Sequence, residues 1–133
     1  MIVNDLMAQA EVEAEFAAYE QALMTNDVAA LDNFFAPNEY VVRYGVSENL
    51  CGYDAIKAFR ATRPPTDLAR RLEQTRVATY GRDLAVATTL FRRDDAPAKI
   101  GRLMQTWVRF PEGWRIVAAH VSVIDEPETG RAS

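Results

Sequence analysis

Histidine and cysteine are nearly missing from this sequence, which has one of each, His120 and Cys51. A single thiol excludes an intrachain disulfide and any cysteine-based metal cluster. A single imidazole, with no His-x-x-x-His or paired-ligand spacing, leaves no ligand set for a catalytic metal. Neither a Gly-x-Ser-x-Gly elbow nor a Gly-rich phosphate loop is present, so no cofactor is expected. No apolar run approaches the ~20 residues of a membrane helix. The stretch from Met1 to Phe16 carries Asp5, Glu11, Glu13 and Glu15, where a secretory leader would be basic and then apolar. The expectation is a cytoplasmic protein with no membrane partner. A net charge of −4 makes nucleic acid a poor partner as well. Lysine is also scarce, with only Lys57 and Lys99 among 15 basic residues. The rest are arginine, whose planar fork holds a carboxylate through two bonds.

What is present reads as one ordinary globular domain over residues 1–133, 49% apolar and 26% charged. Val12, Phe16, Tyr19 and Leu23 follow the i, i+4, i+7, i+11 spacing of a buried helical stripe, predicting a helix over about Asn4–Met24. Thr25-Asn26-Asp27 supplies a stop and a new N-cap for a short helix over Val28–Phe35, ending before Pro37. Tyr40–Tyr44 reads as a strand with Asn49–Cys51 as its partner. After Gly52 a third helix over Tyr53–Thr62 buries Ile56 and Phe59. The period then changes. Arg71–Tyr80, Leu84–Arg93, Lys99–Phe110 and Trp114–Ile124 are strand-like, separated by Gly81-Arg82-Asp83, Asp94-Asp95-Ala96-Pro97 and Pro111-Glu112-Gly113. Connections this short require antiparallel pairing. The polar tail over 126–133 is expected to be loose. The fold class is therefore α+β, three N-terminal helices on a strongly curved antiparallel sheet, with a pocket at the open end.

The long helix, the Asp-capped short helix from Asp27 to Phe35 and the Gly-led third helix resemble the nuclear transport factor 2-like (cystatin-like, SnoaL-like) superfamily. Four segments narrow the resemblance: Val42-Arg43-Tyr44-Gly45, the run from Gly52 to Arg60, Gln105-Thr106-Trp107-Val108-Arg109, and the run from Gly113 to Ser122. Together they resemble the AtzH-like and HpxZ-like group, found beside amidases in cyanuric-acid and oxalurate catabolism. The resemblance implies a decarboxylating amidohydrolase that turns 1,3-dicarboxyurea into allophanate. It implicates a tyrosine on the first helix and an arginine on the first strand, here Tyr19 and Arg43. The alternative is a non-catalytic module that binds a small anion or escorts a partner amidase.

The residues themselves allow these roles without requiring them. Tyr19 lies on the buried stripe, where its phenol needs a partner: a pocket ligand or a backbone carbonyl. Arg43 alternates with Val41, so it faces the pocket if Val41 does. An inward arginine among apolar walls calls for a small anionic substrate, and Arg43 is then expected within hydrogen-bonding reach of Tyr19 or of a shared anion. His120 shares a strand face with Trp114, Ile116 and Ala118, and its pKa of ~6.5 would suit acid–base work, the alternative being a hydrogen-bonded core residue. Gln105 and Trp107 share a face one strand earlier and are further substrate-binding candidates. Arg60, Arg63 and Arg102 are candidates for an anion clamp. Glu73 is the single carboxylate inside the four long strands, which argues against ketosteroid-isomerase chemistry with its carboxylate base. Val117, Ala119, Val121 and Val123 form an apolar row opposite His120, and a homodimer covering it is expected.

Overall fold

The fold was described from a computed structural model, which covers residues 1–64 and 69–126. The first helix, α1, spans Leu6–Met24, and Asp5 caps it by accepting from the Ala8 amide at 3.1 Å. Its buried stripe runs Ala8, Val12, Phe16, Tyr19 and Leu23. Asn26 takes a positive φ of 51°, which ends the helix and turns the chain. Asp27 then caps α2, Val28–Asn33, accepting from the Ala30 amide at 3.1 Å. This helix stops two residues short of the expected Phe35, because Phe35 bridges to Ile116 of the sheet. α3 spans Tyr53–Thr62 behind Gly52, at φ 90°, and buries Ile56 and Arg60 one turn apart.

Six strands follow the order β2-β1-β6-β5-β4-β3 in one curved sheet. They are β1 Val42–Tyr44, β2 Asn49–Cys51, β3 Arg71–Tyr80, β4 Leu84–Arg92, β5 Lys99–Phe110 and β6 Gly113–Asp125. All neighbours are antiparallel except β1 and β6, which run parallel with Arg43 opposite Ala119. The helices cover one face. Between them and the sheet lies the core, with Val12, Leu31, Phe35, Trp107 and Ile116 almost wholly buried.

Two bulges decide which side chains reach that core. On β6, Thr106 pairs with Ala118 while Trp107 pairs with Ile116, so Val117 is an extra residue. Trp114 and Ile116 face inward before it, and Ala119, Val121 and Val123 face inward after it. This corrects two expectations. His120 is exposed on the outer face, its ring edge-on to Tyr44 at 6.3 Å, rather than beside Ile116. Of the apolar row expected on the outer face, Ala119, Val121 and Val123 line the interior instead, and Val117 is taken up by the bulge. On β3, a second bulge between Glu73 and Arg76 holds Gln74 at φ 53°. Among the described residues no helix is long and apolar enough to cross a membrane. The tail beyond Glu126, expected to be loose, lies outside the described residues.

Candidate functional site

At one end, helices and sheet separate around a cavity of about 230 Å³. Tyr19 and Leu23 of α1 reach it from one side, and Phe91, Leu103, Val121 and Val123 of the sheet from the other. Four guanidinium groups line it: Arg43 of β1, Arg63 after α3, Arg70 before β3 and Arg93 after β4. Glu48 is the one carboxylate among the lining residues.

Strand parity explains Arg43. β1 pairs with β6, and Val41 and Arg43 point inward while Tyr44 is exposed. Arg43 is 8% exposed, lies 5.4 Å above the Phe59 ring, and donates to Glu48 Oε1 at 2.8 Å. Gly45 makes room for this pair, since a Cβ there would stand 1.7 Å from Glu48 Oε1 and 2.9 Å from Arg43 Nη1. Burial pushes the Glu48 carboxyl up, but hydrogen bonds from Arg43 and Ser47 outweigh it and hold the group below its usual range. Arg70 is tied to Glu20 of α1 and stacks over Phe91 at 4.3 Å. The Phe91 ring can lie there because its partner across the sheet is Gly101, where any Cβ would come within 2.2 Å of the ring. Arg63 donates to Asn26 Oδ1 at 3.5 Å, and Arg93 stands over Phe91 at 5.8 Å. Neither Arg63 nor Arg93 forms an ion pair with a carboxylate among the described residues. Burial, and after it repulsion from Arg60, makes Arg63 a weaker base than usual.

Among the described residues the Tyr19 hydroxyl is bonded to neither Arg43 nor a carbonyl. It accepts from Arg60 Nη2 at 3.2 Å. Burial alone would raise its pKa, but the charges of Arg60, Arg43 and Arg70, together with that hydrogen bond, outweigh it. The phenol is left more acidic than an ordinary tyrosine.

The other candidates lie elsewhere. Gln105 and Trp107 point inward but below the cavity, in the core, where Trp107 Nε1 donates to Gln105 Oε1 at 3.1 Å and packs edge-on to Phe34. Arg102 is exposed on the outer face, bonded to Ser122 Oγ at 3.1 Å. Glu73 pairs with Arg92. Arg70, Arg93 and Glu48 were not among the sequence candidates. Arg93 continues the inward alternation of Ala85, Ala87, Thr89 and Phe91 one step past the strand end, a signal available in the sequence. Among the described residues no group of three or more His, Cys, Asp or Glu is placed to hold a metal ion.

A curved sheet wrapped on three helices around a one-ended cavity is the nuclear transport factor 2-like, or cystatin-like, architecture. A nuclear transport factor 2-like protein from Salmonella enterica shares it at TM-score 0.69 with 23% identity, over 93% of this chain and 94% of that one. Within that class the chain belongs to the AtzH-like family, whose model matches residues 1–127. A DUF3225-family protein from Pectobacterium atrosepticum SCRI1043 is 54% identical, with TM-score 0.90 over 92% of this chain and 95% of that one. A cystatin-like fold protein from Burkholderia xenovorans LB400 is 44% identical, also at TM-score 0.90, over 96% of this chain and 99% of that one. No curated protein matches the sequence.

Proposed function

We propose that this protein is a metal-independent decarboxylating amidohydrolase acting on a small N-carboxylated urea, 1,3-dicarboxyurea being the model substrate and allophanate the product. The observation that carries this reading is the cavity's charge. Four arginines surround one buried phenol, and Glu48 and Glu20 neutralise only two of them. An apolar-walled cavity left with excess positive charge suits a dianion, because two carboxylates complete the pairing that the protein leaves open.

The chemistry asks little more. The bond between one urea nitrogen and its terminal carboxylate carbon breaks. Its electron pair goes to nitrogen, which takes the proton of Tyr19 Oη, and carbon dioxide leaves. Water then returns a proton to the phenolate. No nucleophile is needed. Arg43 holds the carboxylate that stays, through a fork that a lysine cannot reproduce. Proton transfer from a positioned group contributes typically ~10²–10⁴-fold.

The test is release of carbon dioxide and allophanate from freshly prepared 1,3-dicarboxyurea by the purified protein alone, with ammonia followed in parallel. Stoichiometric carbon dioxide in excess of the spontaneous rate, abolished in Tyr19→Phe while the fold is retained, supports the reading. Tight binding without turnover overturns it in favour of an anion-binding escort for a partner amidase.

A further inference from the structure

The most anomalous side chain in the molecule is one that does not line the cavity. Arg60 projects from the buried face of α3, one turn after Ile56, and is only 1% exposed. It is packed between rings, 5.1 Å from the Phe35 centroid and 5.8 Å from that of Tyr19. Among the described residues its one hydrogen bond goes to Tyr19 Oη, and its buried Nε and Nη1 atoms have no partner. It forms no ion pair among the described residues. Burying a charge with neither counter-ion nor full hydrogen bonding is costly, and a guanidinium cannot shed its proton to escape.

We propose that Arg60 is a positioning residue that sets the charge and orientation of the Tyr19 hydroxyl, and acts on substrate only through that phenol. The assignment rests on the proposed reaction for its purpose, but not for its geometry. Tyr19 faces Arg60 from α3, Arg43 from β1, Arg70 ahead of β3 and Arg63 after α3. The carboxylates nearby, Glu20 on its own helix and Glu48, are already engaged by Arg70 and Arg43. The surroundings therefore favour negative charge on the phenol oxygen. When Tyr19 gives its proton to the departing nitrogen, the charge falls on an oxygen facing Arg60 Nη2, so the buried guanidinium gains its counter-ion as the C–N bond breaks. Tyr19 lines the cavity and Arg60 does not, so the phenol stands between the guanidinium and the cavity side of the site.

The test is an ultraviolet titration of tyrosinate in the full-length protein without substrate, subtracting the Tyr19→Phe variant to isolate the Tyr19 signal. In wild type that signal is expected to ionise at lower pH than free tyrosine. In Arg60→Met, which keeps length and removes charge, Tyr19 should become at least about tenfold weaker as an acid, one pKa unit. Arg60→Lys should fall between the two and keeps the test available if the methionine variant does not fold. A Tyr19 signal unmoved in Arg60→Met, or in Arg60→Lys should the methionine variant fail to fold, overturns the assignment, whatever the turnover. The expected shift in a protein that releases no carbon dioxide would uphold Arg60's role and overturn the proposed reaction.

Discussion

The two ends of the space between helices and sheet are built from opposite materials. At the closed end Leu31, Phe35, Trp107 and Ile116 are buried together, and the polar groups of Trp107 and Trp114 are bonded, the latter to Glu11 at 2.8 Å. At the open end arginines outnumber carboxylates, and buried guanidinium nitrogens on Arg60 and Arg63 lack partners among the described residues. One end is what stability selects. The other is what stability alone would remove, since replacing buried charge with apolar volume is often neutral or favourable. The difference marks the candidate site without reference to relatives: among the described residues the buried guanidinium nitrogens without a partner belong to Arg60 and Arg63, whereas the other unpartnered groups, on Asp32, Thr79 and Gln105, carry no positive charge.

That contrast can be broken from either end. Trp107→Ala should cost about 3–5 kcal/mol of unfolding free energy, read from the denaturant midpoint, because it empties the closed end. Arg43→Ala should move that midpoint far less, yet lose about 2–5 kcal/mol of affinity for a dicarboxylate, measured by calorimetry with glutarate, which matches the carboxylate spacing of dicarboxyurea. Arg43→Lys should lose nearly as much, since charge without the fork is insufficient. In the same series the outer-face variant His120→Ala should change stability by under about 0.5 kcal/mol and leave affinity alone. Equal affinity losses in Arg43→Ala and His120→Ala would erase the distinction between the two faces.

The smallest effect is a pH dependence. A phenol more acidic in the folded chain than the ordinary value of 10.0 means that the unfolded chain binds more protons in the window just below that value. Stability from Tyr19 is therefore gained as pH rises through its folded pKa toward 10.0, and lost as pH falls back through it. Wild type minus Tyr19→Phe, by denaturation at successive pH values, should show that rise. A flat difference would remove the electrostatic contrast at Tyr19.

Much of this was legible in the residues. The third helix and the long strands announced themselves through period and turn chemistry, and parity tied Arg43 to whichever side Val41 takes, which in the structure is the inner one. Three kinds of information were missing. Bulges at Gln74 and Val117 flip strand parity with no glycine or proline to mark them, which is why His120 was expected on the wrong face. Parity also gives direction but not height: Gln105 and Trp107 point inward, yet below the cavity. Finally, an arginine four residues after Ile56 is usually solvated. Only the packing of Phe35 and Tyr19 against Arg60 reveals that this one is not.

The Val117 bulge has a consequence for how such a pocket can change over generations. It is a one-residue phase shift in a wall whose side chains alternate. Deleting that single codon would remove the bulge and still leave Ala119, Val121 and Val123 inward, because Ala119 would then stand two residues after Ile116. Keeping the codon but losing the bulge, by a one-residue slip of β6 along β5 beyond Ile116, is what would turn Ala118, His120 and Ser122 inward. The wall chemistry is therefore insulated against the loss of that residue, and depends instead on the bulge holding the extra residue out of the ladder.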